Sequence, residues 1–314
     1  MSQALDRPTT HDASVRSRVT LRRFAGHTAH AQRLDRPIRI AHLTDQHVGR
    51  VTPLRAQKDA VDAANAMKPD VVMITGDFVC HSHAYLDELA EVLGGFDAPV
   101  FAVLGNHDHW SGAAEVRRTL HRAGVELLDN HNTSITLAHQ RLQVVGLDDA
   151  YTGHADVEKA TKGLDPRLPT IGLSHIAEMA DALWQHRVPL VLSGHTHAGQ
   201  ITVARLHEIS IGHLAGHRYV HGLYGSRHGM PPHGAVYVGA GIGAAVMPLR
   251  IGERAQREVT IFDLGLEPGS IDEHHDVQPA LPGRVPSEKT KEKRRQQVLR
   301  KAERRQKRIV PPLE

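Results

Sequence analysis

The sequence predicts an α/β layered domain. Three observations carry this reading: five short apolar runs, helix-like segments between the early ones, and turn or ligand-type residues just after each run. The runs are IRIAHLTD (38–45), DVVMITGD (70–77), PVFAVLGNHD (99–108), TIGLSH (170–175) and VPLVLSGH (188–195). Nearly continuous Val, Ile and Leu suit strands covered on both faces. Strands alternating with helices build layered α/β domains.

Between the runs, PLRAQKDAVDAANAM opens on Pro53 near a first helical turn and spaces Leu54, Val61 and Ala64 along one side. AYLDELAEVL and AAEVRRTLHRAG read likewise as helices, the second closed by Gly124. LQVVGLDD, GAVYVGAGIG and REVTIFDLG follow with shorter connections and are expected to add antiparallel strands. No internal repeat is present. The periodicity divides the chain into an N-terminal extension (1–37), a catalytic-type domain (38–265), and a Pro-rich linker with a basic tail (266–314). The linker is expected to separate the tail from the core, and the tail to be a charged helix or disordered, since its apolar stripe is weak.

Composition bounds the function. With 40% hydrophobic and 23% charged residues, the 314-residue chain can bury a substantial core. No run reaches the roughly 18 apolar residues of a membrane span, and the N-terminus lacks the apolar centre of a signal peptide. Cys80, the sole cysteine, excludes an intramolecular disulfide and fits a reducing compartment. These features point to the cytoplasm, with peripheral attachment to the inner membrane face left open. From Leu281 to Glu314 there are 12 Lys/Arg against 4 Asp/Glu, a net +8, whereas residues 1–280 carry 26 basic and 31 acidic groups, a net −5. An acidic body argues against a broad nucleic-acid groove and specific nucleic-acid binding, although the tail can meet phosphates nonspecifically.

The ends of the five runs supply the chemistry: Asp45-Gln-His47, Gly76-Asp77, Gly105-Asn106-His107-Asp108, Ser174-His175 and Gly194-His195-Thr-His197. Most of these alone read as an ordinary turn or exposed loop in a chain with 25 histidines, whereas GNHD, with glycine, amide, imidazole and carboxylate adjacent after an apolar run, is an uncommon string. Loops beyond strand C-termini in an α/β sheet line one edge, where ligands usually bind, so the groups converge. They bring imidazole nitrogens, carboxylates and an amide oxygen but no thiolate, a mixed set that suits Mn, Fe or Zn. Two histidines at i and i+2 on a turn can face two neighbouring ions.

The series D-x-H, G-D, G-N-H-D, H and G-H-x-H resembles the calcineurin-like metallophosphoesterase superfamily over roughly residues 38–264. The continuation GHTHAGQ, HGLYGSRHG, YVGAGIG and MPLR resembles a narrower bacterial branch linked to lipid A metabolism, including UDP-2,3-diacylglucosamine pyrophosphatase-type enzymes. The resemblance implies a four-layer αββα sandwich with two mixed β-sheets. It implies two divalent ions (Mn, Fe or Zn) bridged by Asp77, one held also by Asp45, His47 and His197, the other by Asn106, His175 and His195. A metal-bridging hydroxide would then attack the phosphorus of a phosphoester or pyrophosphate, with His107 facing the substrate and Asp108 orienting its ring. Ala198 stands where that branch usually has glycine, Ile176-Ala177 where proline is often close by, and the branch's hydrophobic anchor is missing.

Rival readings are a general phosphodiesterase or nucleotide hydrolase without lipid preference, a metal-poor binding scaffold, and a nuclease guided by the basic tail. The intact His107 and ligand set disfavour the scaffold, and the acidic body and scarce aromatics disfavour the nuclease. The expected partners are a phosphorylated small molecule or lipid-linked substrate, with the tail resting on anionic membrane. His81 and His83 either line the pocket or coat a helix start. Cys80 reads as a packed thiol, His213, His217, His221, His228 and His233 as mostly exposed, and the glycines of GAGIG as a poor dinucleotide loop.

Overall fold

The structure, a computed structural model, describes residues 19–80, 82–199, 216–229, 233–244, 250 and 255–309. Among the described residues the strands are β1 (Val19–Ala25), β2 (Ile38–Leu43), β3 (Val71–Thr75), β4 (Val100–Val103), β5 (Glu126–Leu127), β6 (His131–Leu137), β7 (Gln140–Gly146), β8 (Thr170–Leu173), β9 (Leu190–Ser193), β10 (Gly222–Gly225), β11 (Ala235–Val238) and β12 (Arg257–Leu264). The helices are α1 (Thr28–Ala31), α2 (Leu54–Ala66), α3 (Leu86–Leu93), α4 (Asn106–Arg122), α5 (Val157–Thr161), α6 (Ala180–Gln185) and α7 (Glu288–Ile309).

Two six-stranded sheets form, in the orders β1-β12-β2-β3-β4-β5 and β10-β11-β9-β8-β7-β6. Both are mixed. β2 to β5 run parallel, and β12 lies antiparallel to β2. β7, β8, β9 and β11 run parallel, flanked by antiparallel β6 and β10. Only β12 of the three later segments thus runs antiparallel to a central strand; β7 and β11 join theirs in parallel, because their connections cross over rather than turn back.

Alternation along each strand separates the layers. Ile38 and Ile40 of β2 face inward with Met73, Val144, Ile171 and Leu192, filling the space between the sheets. Ala41 and Leu43 face outward onto α2, α3 and α4 through Ala60, Leu89, Val116 and Leu120. The second sheet's outer face packs Val145, Val191 and Val236 against Ala160, Ala180 and Leu183 of α5 and α6. The result is the four-layer α/β sandwich.

The fold reaches beyond both sequence boundaries. β1 pairs in parallel with β12 along its whole length, although residues 1–37 read as an extension. Its VTLRRFA sequence hides a strand because the charges are matched: Arg22 meets buried Glu258 at 2.6 Å and Arg23 meets Asp263 at 2.6 Å. The Pro-rich segment is not a spacer either. Glu273 pairs with Arg227 at 2.5 Å and accepts from the Ala25 amide, while the amides of Gln278, Leu281 and Arg284 bond the carbonyls of Leu223, Arg218 and Gly216. This strap covers the open edge of β10, satisfying backbone groups that an edge strand would otherwise expose. It delivers α7 onto α4.

Candidate metal centre

Five strand ends converge on one point. The loops after β2 and β3 are locked together by amide bonds from Asp45 to the Gly76 carbonyl (3.0 Å) and from His47 to the Asp77 carbonyl (2.9 Å). Gly76 adopts φ +86°, and a Cβ there would meet the Gly105 backbone at 2.6 Å, so the third loop can close against it only at glycine. The fifth loop, after β9, is tied in by the His195 amide, which donates to Asp45 Oδ2 at 2.9 Å. The GAGIG run serves the same centre, its Ile242 and Gly243 amides donating to the carbonyls of Thr44 and Asp45 at 3.1 and 2.7 Å. Arg250 of MPLR bonds the Ala240 and Gly243 carbonyls and steadies that run. Asp45, His47, Asp77, His195 and His197 all take left-handed backbone conformations, with φ between 44° and 77°.

All seven residues expected as metal ligands meet here. His197 Nε2 lies 3.3 Å from Asp45 Oδ1 and 3.0 Å from His47 Nε2. His175 Nε2 lies 3.2 Å from Asn106 Oδ1 and 3.3 Å from His195 Nδ1. Asp77 stands between the two groups: its Oδ2 is 3.5 Å from His47 Nε2 and 3.3 Å from His175 Nε2. Its Oδ1 accepts the His107 amide at 2.8 Å, which fixes the carboxylate's rotation.

The donor set fits divalent cations. Asp45 spends Oδ2 on Thr44 Oγ1 and the His195 amide, leaving Oδ1 fully buried with no hydrogen-bond partner. An unpaired buried carboxylate oxygen is costly unless a cation answers it. Burial drives His47 and His195 far below the ordinary imidazole range. Burial and the Arg250 charge take His197 down to about 3. These rings are neutral and offer lone pairs, the form in which imidazole binds metal. His175 differs: burial opposes its charge, but Asp77, Asp45 and Asp149 carry it up to about 10. Burial likewise opposes the Asp77 charge, yet His175, His107 and His47 hold that carboxylate well below its usual range.

The two residues expected as catalytic have different neighbours. The His107 ring stands 4.7 Å from that of His47, and His47, Asp77 and His107 together have ligand-type atoms within 4.8 Å of one another. Its Nδ1 is held by the Cys80 carbonyl at 2.7 Å, not by Asp108. Asp108 instead accepts the amides of Asp77 and Gly105 at 2.9 Å and of Val79 at 3.2 Å. The reason is helical geometry: GNHD is the first turn of α4, with Gly105 as its N-cap, so Asp108 at the third position reaches back to the cap. Burial and the adjacent Asp77 charge push Asp108 up to about 7 despite those donors. It clamps loops and does not aim the ring.

Sequence reasoning missed a second rank of residues. Asp148 and Asp149 follow β7 as the other site residues follow their strands, so LQVVGLDD carried the same signal. Asp148 pairs with His109 at 2.7 Å and with Arg117 at 3.1 Å. Trp110 lies 4.9 Å from the His107 ring and Tyr151 lies 5.3 Å from the His195 ring. Of the remaining histidines, His83 is exposed on a 3-10 turn capped by Ser82, as a helix-start residue would be. His217 bonds Glu178 at 3.2 Å, His221 is buried against Glu258 at 2.9 Å, and His228 and His233 are exposed. His81 and His213 lie outside the described residues. Burial and the Asp77 charge push the Cys80 thiol up to about 11, leaving it a packed group.

The family model for calcineurin-like phosphoesterases matches residues 38–199. The chain belongs to this family. It is 30% identical over 236 residues to the phosphodiesterase YaeI of Escherichia coli, an alignment covering 73% of this chain and 82% of that one. Over 234 residues it is 32% identical to YkuE, an uncharacterized metallophosphoesterase of Bacillus subtilis, covering 72% and 78%. A transmembrane protein with a metallophosphoesterase domain from Danio rerio is 32% identical over 234 residues, covering 70% of this chain and 52% of that protein. The metallophosphoesterase is therefore a hydrolase. Among its described residues, no helix is long and apolar enough to cross a membrane.

Proposed function

We propose that this metallophosphoesterase is a two-metal phosphodiesterase, acting on phosphodiester or pyrophosphate bonds. The observation that carries the reading is the position of Asp77 Oδ2, flanked by His47 Nε2 and His175 Nε2 at 3.5 and 3.3 Å. One carboxylate oxygen between two N/O donor groups is the arrangement a shared ligand requires. Asp45, His47 and His197 would complete one position, and Asn106, His175 and His195 the other. Mn, Fe or Zn held there would neutralise phosphate charge and acidify a water molecule.

The chain's own residues divide the remaining work. His107 donates Nδ1–H to the Cys80 carbonyl, so Nε2 is the atom at which its ring gains or loses a proton. A protonated Nε2 can deliver that proton to the departing alkoxide. Asp108 keeps the loops of Asp77 and Asn106 in register, and Trp110 packs against the His107 ring.

The test loads purified protein with Mn²⁺ and assays bis(p-nitrophenyl) phosphate, cyclic nucleotides and UDP-2,3-diacylglucosamine in parallel. Two ions per chain and turnover of a diester support the reading. One ion per chain, unchanged in Asp77→Asn, refutes it. Turnover of UDP-2,3-diacylglucosamine far above the other substrates would favour the lipid-linked class that the GHTHAGQ and HGLYGSRHG segments resemble. Cosedimentation of the full chain with anionic vesicles tests a peripheral membrane role for the basic tail.

A further inference from the structure

The C-terminal helix forms part of the mouth of the metal centre. Its half-buried residues Lys291, Arg294, Val298 and Lys301 recur at helical spacing and define one inward face. On that face Arg294 Cζ stands 3.7 Å from the centre of the Tyr151 ring, and Lys301 Nζ stands 4.1 Å from that of Trp110. The two rings meet edge to face at 5.9 Å, one against His195 and the other against His107. Each cation is thus a single aromatic ring away from the residues that surround phosphorus in the reading above.

A cavity of about 190 Å³ opens between α7, the strap and the Tyr151 loop. Arg284, Lys291, Arg294 and Arg295 line one side, and His217, whose ring is 5.1 Å from that of His195, lines the other. The one carboxylate in its lining, Glu178, is occupied by His217 and the Arg218 amide. Lys291 and Arg295 have Glu288 and Glu292 as neighbours, but no described carboxylate pairs with Arg294 or Lys301. Weak cation–π contacts account for only part of why such charges gather. Like charges crowded beside a phosphate site are stabilised by an anion placed among them.

We propose that α7 and the strap form a subsite for a second anionic group of the substrate. On this view, which rests on the hydrolytic reading, the enzyme prefers phosphodiesters that carry a further phosphate beyond the scissile one. Arg294 and Lys301 are its specificity-determining residues.

The experiment compares two chromogenic diesters on the full-length, metal-loaded protein: thymidine 5′-(p-nitrophenyl phosphate) and the same compound bearing a 3′-phosphate. The expected result is a preference of roughly tenfold or more in kcat/KM for the 3′-phosphorylated diester, carried by KM, as charge-assisted hydrogen bonds give. Arg294→Gln/Lys301→Gln should erase that preference, while Lys293→Gln/Arg300→Gln, on the exposed face, should keep it. Equal loss on both diesters, faster turnover of both, or the same effect from the exposed-face pair would overturn the subsite. So would loss of binding to anionic vesicles in Arg294→Gln/Lys301→Gln with the preference intact, which would give these cations to a lipid surface.

A second readout does not depend on turnover. Thymidine 3′,5′-bisphosphate binding, followed by tryptophan fluorescence, should be weakened about tenfold in Arg294→Gln/Lys301→Gln. If this holds while no diester is hydrolysed, the hydrolytic reading fails and the subsite stands. If diesters turn over but the bisphosphate binds no better than thymidine 5′-monophosphate, the subsite fails and the reaction stands.

Discussion

The floor and the roof of this centre are built by opposite means. The floor is made of the segments that follow five strand ends, mostly buried and tied to one another by backbone hydrogen bonds from one loop to the next. The roof is a long helix, mostly exposed, held through two aromatic rings and a strap of irregular chain. A buried loop tolerates almost no drift, because each polar atom must find a partner. A helix lying on aromatic faces can shift with little loss. Position is enforced where loop carries loop through buried hydrogen bonds, and held more loosely where cations rest on aromatic faces.

Substitutions test that division, and the largest effect belongs to the floor. Asp77→Asn removes the charge shared by both donor groups and should lower activity by ~10⁴ or more, with bound metal falling below two equivalents. Elemental analysis and kcat measured together check this, and full occupancy in the variant would break the shared-carboxylate account. His107→Ala should reduce kcat by ~10²–10⁴ while metal content stays unchanged. Substrates with good leaving groups should suffer less, and metal loss in this variant would move His107 into the ligand set.

Asp108→Ala should act through stability instead. Three buried amides lose their acceptor, a cost on the order of 3 kcal/mol or more, visible as a lowered midpoint in urea. An unchanged midpoint would show that the loop clamp is dispensable. The smallest effect is expected in the roof. Trp110→Ala should raise KM by only about threefold, roughly the worth of one exposed cation–π contact, with metal content unaffected. A loss as deep as that of His107→Ala would erase the distinction between the two regions.

The same division decided what could be read in advance. The five apolar runs announced β2, β3, β4, β8 and β9 because burial on both faces leaves no room for polar alternation. β1 was hidden by Arg22 and Arg23, whose partners Glu258 and Asp263 lie more than two hundred residues away. β6, HNTSITL, is polar because it forms an edge. At the site, short strand-end motifs named the floor, since a ligand's chemistry and its place in the chain coincide there. Adjacency to His107 suggests that Asp108 orients its ring, but a helix's first turn points successive side chains in different directions, and Asp108 bonds loop amides instead. The roof was illegible: nothing in KTKEKRRQQVLRKAERRQKR says which rings it will meet, and Trp110 and Tyr151 carry no motif.

The left-handed backbone of Asp45, His47, Asp77, His195 and His197 has a consequence for how the enzyme matures. Each such residue costs on the order of 1–3 kcal/mol, which the surrounding structure must offset. The offset is supplied by the protein itself, through amide bonds such as those from Asp45 to Gly76, from His47 to Asp77 and from Gly243 to Asp45. The loops are therefore braced by backbone bonds that belong to the folded chain. Mixed nitrogen and oxygen donors of this kind do not single out one mid-sized divalent ion. The ions found in the purified enzyme should accordingly follow the supply during growth, so that cells raised on manganese and cells raised on zinc yield the same fold with different contents.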